Sequence, residues 1–235
     1  MTAPWEDTRV AAGLRRQLTT RRRVLDEGAA GIGWKVGFGA PASLDLMDIT
    51  APLVGFLTDA TVFPSGDHID TSGWIRGVVE FELAVYLGAD LGPGASLHEA
   101  GAAISAVGPA MELANIDLPV EASFVEDIVA GNIFHEAVVL GASDEGRAGL
   151  DITGLVARIL VDGEEWATTT DLQAITGAYP LIVATVANTL AATGMTLRAG
   201  DLIITGSVVP PIPVTEGTEF SFVLEPFAPI SVAVV

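Results

Sequence analysis

The chain contains no cysteine. Disulfides, thiolate metal sites and cysteine nucleophiles are therefore all excluded. Cations are scarce as well: eleven Lys and Arg stand against thirty Asp and Glu, a formal net charge of −19. So few bases cannot lay a track along a phosphate backbone, which argues against a nucleic-acid partner. Five of the eleven, Arg15, Arg16, Arg21, Arg22 and Arg23, read as one exposed helix face. Long apolar runs are also missing, since no window approaches the roughly 18 residues that span a bilayer. The opening stretch Met1–Arg9 lacks a basic-then-apolar signal pattern. A soluble cytoplasmic protein without a membrane partner is the expectation.

Hydrophobic residues make up 50% of the 235 residues, enough to bury a sizeable core. Residues 1–30 read as an N-terminal helical lead-in, and 31–235 as one β-rich domain. Within the lead-in, Val10, Leu14, Leu18 and Leu25 recur at near-helical spacing between Trp5 and Asp26, before a stop at Glu27-Gly28. Gly31-Ile-Gly33-Trp-Lys35-Val-Gly37-Phe-Gly39 is dense in glycine. No strand leads into it and no helical pattern follows, so a dinucleotide-binding loop is a poor match. Glycines at alternate strand positions instead mark a close approach by another backbone or a ligand. Lys35, among apolar neighbours there, either snorkels to the surface or faces a polar cavity.

Residues 40–78, rich in Pro, Gly, Asp and Thr, read as loops and short strands around Gly55-Phe-Leu and Thr61-Val-Phe. In Gly77-Val-Val-Glu80-Phe-Glu82-Leu-Ala-Val-Tyr86-Leu, apolar residues alternate with Glu80, Glu82, Ala84 and Tyr86. On a strand of period two, both carboxylates then project from one face. Such a face is either simply wet or a place where acids are collected. A third acid, Glu112 in Pro109-Ala-Met-Glu112-Leu, sits in apolar sequence where a solvated glutamate is unexpected.

Ser96-Leu-His-Glu99 fits a capping box opening a helix to about Val107, and Ser123-Phe-Val-Glu126 repeats the pattern before a second helix ending near Gly131. Ala137–Leu140, Leu155–Val161 and Glu165–Thr170 read as strands, with Asp162-Gly163 as a hairpin turn. Tyr179–Thr193 reads as a helix, with proline at its start and Gly194 beyond its end. Asp201–Ser207, Phe220–Leu224 and Ile230–Val235 complete a strand-dominated chain. The fold class is α+β with a β-roll or sandwich core.

In order, Gly33-Trp-Lys35-Val-Gly37, Val79-Glu80-Phe-Glu82-Leu, Pro109-Ala-Met-Glu112-Leu and Gly200-Asp201-Leu-Ile-Ile-Thr-Gly206-Ser207 resemble the fumarylacetoacetate hydrolase superfamily, in its 2-keto-4-pentenoate hydratase and 4-oxalocrotonate decarboxylase branch. The resemblance covers about residues 10–235. It implies a mixed β-sandwich roll, with Mg2+ or Mn2+ on Glu80, Glu82 and Glu112. Hard cations prefer oxygen ligands, and three carboxylates leave positions for the oxygens of a 2-keto acid, whose carbonyl is polarised there.

By the same resemblance Lys35 assists proton transfer, while Gly37, Asn132 and Ser207 belong to the substrate site. Ser207 equally fits a turn serine bonded to nearby backbone. The departures lie where the branch carries acids: Leu53 follows Pro52, Gly131 precedes Asn132, and Asn115 follows Glu112-Leu-Ala. His135 stands either as a replacement acid/base or as half of a surface pair with Glu136. His68 and His98 read as solvated. Trp34, Trp74 and Trp166 read as packing residues, with Trp34 also a candidate for the pocket wall.

The function implied is a metal-dependent hydratase acting on a short 2-keto or 2-hydroxydienoate acid in aromatic meta-cleavage catabolism, assembled as a homo-oligomer. A decarboxylase, a carbon–carbon hydrolase and a non-catalytic relative are the alternatives.

Overall fold

The structure, a computed structural model, describes residues 3–235. Helix α1 (Thr8–Asp26) begins where the Asp7 side chain accepts the Arg9 N–H, satisfying one free donor of the first turn. Its inner face buries Val10 and Leu14. Gln17, wholly enclosed, donates to the carbonyls of Val54 and Val129 and so ties the helix to two later elements. The arginine face is not uniformly wet. Arg21 lies over the Trp34 ring at 5.0 Å, a cation–π contact, while Arg15, Arg16, Arg22 and Arg23 are exposed.

Strand β1 (Gly31–Gly37) leads to α2 (Pro41–Met47), a helix in a region whose composition reads as loop. Pro41 presets the first helical φ, and Met47 is fully buried, which anchors the short turn. Strands β2 (Leu53–Thr58), β3 (Val62–Phe63), β4 (Asp67–Ile69) and β5 (Gly77–Leu87) follow.

The capping box at Ser96 forms in both directions and opens α3 (Leu97–Ala103). That helix stops short of Val107 because Ile104 already belongs to β6 (Ile104–Asn115). The second expected box does not form. Ser123 Oγ instead donates to Glu121, and α4 (Val125–Ala130) grows out of a tight turn.

Strand β7 (His135–Leu140) precedes the hairpin of β8 (Val156–Val161) and β9 (Glu164–Thr169). Asp162 and Gly163 both have positive φ, 52° and 81°, as a two-residue mirror-image turn requires. Helix α5 (Tyr179–Ala192), buried along much of its length, is followed by β10 (Leu202–Ser207), β11 (Ile212–Pro213), β12 (Glu219–Glu225) and β13 (Ile230–Val234).

The strands form two sheets. The larger runs β2-β1-β10-β5-β6-β7-β3, with β11 beside β5; the smaller runs β4-β13-β12-β8-β9. Pairing is mixed: β1 with β10, β3 with β7 and β4 with β13 are parallel, and the remaining pairs are antiparallel.

Strand β5 divides its residues as the alternation predicts. Val79, Phe81, Leu83 and Val85 enter the main core, where the Phe81 and Phe222 rings meet edge-on at 5.7 Å across the two sheets. Its other face is not wet, contrary to the half-buried strand that the pattern suggests: Glu82 and Ala84 are both fully buried. That second enclosed face holds the candidate site. Trp166 is the exception among the tryptophans, 64% exposed on the hairpin rather than packed.

Candidate metal centre

Register alone assembles the acids. Glu80 stands directly opposite Glu112 across β5 and β6, and Glu82, two residues on, faces Ser207 of β10. Lys35 joins from β1, where it pairs with Ile204 of β10 and with Gly55 of β2. One oxygen from each of Glu80, Glu82 and Glu112 lies within 4.8 Å of the others.

Hydrogen bonds fix this constellation from behind. Lys35 Nζ makes a very short contact with Glu112 Oε1 and donates to the Ile133 carbonyl at 3.1 Å. His135 Nδ1 reaches the same Oε1 at 2.7 Å, while its Nε2 is 2.9 Å from Thr61 Oγ1. The Gly206 N–H donates to Glu82 Oε2. Gly206 has φ +90° at an irregularity in the β10–β5 register, a backbone that L side chains rarely adopt, so glycine is required to turn this N–H inward. Gly55 is required for a different reason: a Cβ there would stand 2.8 Å from Lys35 Cγ.

After these bonds, Glu82 Oε1 and Glu112 Oε2 remain buried without a partner. Orphaned carboxylate oxygens inside a protein are costly unless a cation meets them. The titration behaviour points the same way. Burial, then the charge of Glu112, pushes Glu80 up to about 7 against the opposing influence of Lys35. Burial and both neighbouring acids hold Glu82 well above the usual carboxylate range. For Glu112 burial also acts upward and is the largest influence. The charge of Lys35 and the His135 bond, together with the bond from Lys35, outweigh it and leave the group lowered. An all-oxygen set of this kind suits a hard divalent ion such as Mg2+ or Mn2+, so the residues present fit the metal.

A cavity of about 160 Å3 opens onto this cluster, with Lys35 and Glu80 on its wall. They are the only ionisable side chains among the described residues lining it. Gly37 and Ser207 also line it. Ser207 Oγ is bonded to the backbone of Phe81, accepting its N–H at 3.1 Å, so the hydroxyl braces β10 on β5 at the edge of the cavity.

Two of the expected site residues lie off the cavity wall. Asn132 is not aimed at the cavity: its amide receives the Phe56 N–H and donates to the Phe56 carbonyl, clamping β2. His135 is not on the cavity wall and is not a surface pair, for its side chain is only 2% exposed behind Glu112. Trp34 is likewise a packing residue, 2% exposed with Nε1 bonded to Asp201. His68 and His98 are exposed.

The positions lacking the branch's acids are absorbed differently. Leu53 is buried in an apolar cluster, Gly131 ends α4, and Asn115 accepts the N–H groups of Ile75 and Arg76. Sequence reasoning missed Thr176, whose methyl sits where a side chain on Gly206 would have to go and whose buried hydroxyl is unpartnered. The only signal for it was a Thr-Gly pair in an otherwise featureless loop.

A two-sheet roll carrying three inward carboxylates beside a buried lysine defines a class of protein with a hard-cation centre at the base of a small cavity. Comparison with known proteins narrows that class. The family described as fumarylacetoacetate (FAA) hydrolase C-terminal matches residues 39–234. The chain belongs to the fumarylacetoacetate hydrolase family.

Among its relatives, 2-hydroxyhexa-2,4-dienoate hydratase of Comamonas testosteroni is 30% identical over 197 residues, covering 83% of this chain and 74% of that protein. A 4-oxalocrotonate decarboxylase of Pseudomonas sp. (strain CF600) is 32% identical over 205 residues, covering 86% and 76%. The solved structure of 4-oxalocrotonate decarboxylase from Pseudomonas putida G7 complexed with magnesium and adipate superposes with a TM-score of 0.84 at 26% identity, covering all of this chain and 90% of that one.

Proposed function

We propose that the chain is a divalent-metal-dependent hydratase acting on a short 2-keto or 2-hydroxydienoate acid of aromatic catabolism. The observation that carries this reading is the convergence of Glu80, Glu82 and Glu112 beside buried Lys35, with two carboxylate oxygens left free. The similarity to a dienoate hydratase supports the reaction type, and the magnesium complex of a structural relative supports the cofactor. Glu80, Glu82 and Glu112 would hold Mg2+ or Mn2+, which when bound supplies a Lewis acid that polarises the 2-oxo group.

The remaining work falls to the chain itself. Lys35 places the one cationic side chain of the cavity wall beside the acids, where it orients the substrate carboxylate and moves a proton at Nζ. Gly37 lines the cavity and its missing side chain lets Ile133 pack against the wall, and Ser207 holds the edge of the site. His135 acts as a positioning residue: it orients Glu112 from behind, as outer-shell partners of metal-ligating carboxylates do. Asn132 serves the site indirectly, by fixing the strand that carries Gly55. The apolar walls exclude bulk water, so that addition is confined to a molecule bound in the cavity.

The reading includes a cytoplasmic location and a homo-oligomeric assembly. Exposed Leu46, Ile75 and Leu181 support the assembly. No helix among the described residues is long and apolar enough to cross a membrane.

The test is loss of the ultraviolet absorbance of 2-hydroxypenta-2,4-dienoate with and without Mg2+, on the native chain and on Glu82→Ala. Metal-dependent turnover abolished by the substitution is expected. No turnover together with no Mg2+ binding by calorimetry overturns the reading. A decarboxylase is the second reading, favoured by the 0.84 superposition on that enzyme; release of CO2 from 4-oxalocrotonate decides between them.

A further inference from the structure

The end of the cavity away from the acids has its own chemistry. Two residues along β5 and β6 from the Glu80–Glu112 pair, Val78 stands opposite Ala114, and the wall continues through Ile116. Phe134, Ile175 and Pro211 also line the cavity, whose uncharged polar side chains are the hydroxyls of Ser43, Thr176 and Ser207, the last of these beside Glu82. No guanidinium lines it among the described residues. Arg76, whose backbone carbonyl accepts the Ile116 N–H, has its Nε and Nη2 bonded to the carbonyls of Ile116 and Leu118. Lys35, the single cation present, is already bound to Glu112.

We propose that this cavity selects acids whose far end is an uncharged hydrocarbon group and discriminates against dicarboxylates of the same length. The proposal rests on the functional reading above, in which one carboxylate and the 2-oxo group are held at the acid cluster. A second carboxylate would have to leave water for hydrocarbon walls without a countercharge, in a chain of net charge −19. The Thr176 hydroxyl, buried and unpartnered, offers a single neutral hydrogen bond, and a neutral donor does not replace an arginine fork. A hydrocarbon end, by contrast, gains from the same walls as it leaves water. The preference also separates this chain from a decarboxylase of 4-oxalocrotonate, because that substrate carries two carboxylates.

The test compares binding of pyruvate, 2-oxohexanoate and 2-oxoadipate by calorimetry, on the full chain saturated with Mg2+. The two six-carbon acids differ only at the far end. All three share the 2-oxo acid head, so pyruvate reports the acid-cluster site by itself. The expected result is that pyruvate binds, 2-oxohexanoate binds more tightly, and 2-oxoadipate binds about tenfold or more weakly than 2-oxohexanoate, the penalty for an unpaired buried charge. The variant Ile116→Arg, which places a guanidinium on the wall, is expected to narrow or reverse that gap while leaving pyruvate binding in place.

Equal or tighter binding of 2-oxoadipate by the native chain overturns the selectivity and leaves the functional reading standing. So does 2-oxohexanoate binding no better than pyruvate. A folded Ile116→Arg protein that binds pyruvate yet gains nothing for 2-oxoadipate also overturns it. Failure of all three acids to bind overturns the functional reading and the selectivity together.

Discussion

His135 and Glu112 meet through one pair of atoms, Nδ1 and Oε1 at 2.7 Å, and that carboxylate oxygen is the one Lys35 also holds. The bond leaves Glu112 Oε2 turned inward and free. Removal of the imidazole in His135→Ala is expected to weaken Mg2+ binding by about 10–100-fold, the usual consequence of losing an outer-shell partner. His135→Asn, which keeps a donor near the Nδ1 position, is expected to recover most of that loss. Calorimetry on both variants checks this, and equal losses in the two would show that the hydrogen bond is not what matters.

Without metal, the three acids repel. Glu82 is held well above the usual carboxylate range in the fold, so keeping its proton costs stability at neutral pH. Glu82→Gln keeps the shape without that cost, and the metal-free protein is expected to gain stability in urea denaturation at pH 7. The same variant is expected to lose the rise in melting temperature that Mg2+ gives the native chain, since only a ligand bound to the folded state stabilises it. A variant that melts lower than the metal-free native chain would count against charge repulsion at the site.

The pH dependence has a definite sign. Glu80 titrates at about 7 in the fold, above the ordinary value of 4.5, so the folded state holds a proton that the unfolded chain has released between those values. Its contribution to the stability of the metal-free protein is present in full below 4.5 and disappears as pH rises to about 7, a change of about 3 kcal/mol. Mg2+ binding has the opposite trend, weakening by about tenfold or more per pH unit as the medium is acidified below 7, because the ion must displace the protons that Glu80 and Glu82 hold. Denaturation and Mg2+ titration from pH 5 to 8 check both slopes.

Gly55→Ala tests whether the lysine is held by crowding as well as by charge. The new methyl would meet Lys35 Cγ at 2.8 Å and Asn132 Oδ1 at 2.9 Å. A loss of about 1–3 kcal/mol is expected from overpacking, accompanied by weaker pyruvate binding as Lys35 is displaced. Unchanged pyruvate affinity in a destabilised variant would separate Lys35 from the ligand.

The acid cluster was legible in sequence because strand alternation is a local property: Glu80 and Glu82 had to share a face wherever the strand lay. Glu112 was noticed as an acid in apolar surroundings, and only the antiparallel register of β5 on β6 sets it opposite Glu80. The placement of His135 and Asn132 is not legible in the sequence for one reason. Both lie around a backbone with three consecutive positive φ values, Asn132, Ile133 and Phe134, which no residue pattern announces. That kink turns the asparagine onto β2 and the histidine inward. Helix α2 was hidden by composition, its few apolar residues being enough once Met47 was anchored. The false capping box at Ser123 shows the converse, a local motif overridden by a stronger neighbouring partner in Glu121.

The pairing of β1 with β10 has a consequence for the order in which the protein is made. Trp34 and Asp201, bonded to each other, are 167 positions apart in the chain, and Lys35 reaches its place only beside Ile204. On the ribosome, β5 and β6 emerge with their acids long before the strand that separates them from β1 exists. Such distant partners raise contact order and slow folding. The centre is therefore closed from its C-terminal side, when β10 brings the Gly206 N–H to Glu82.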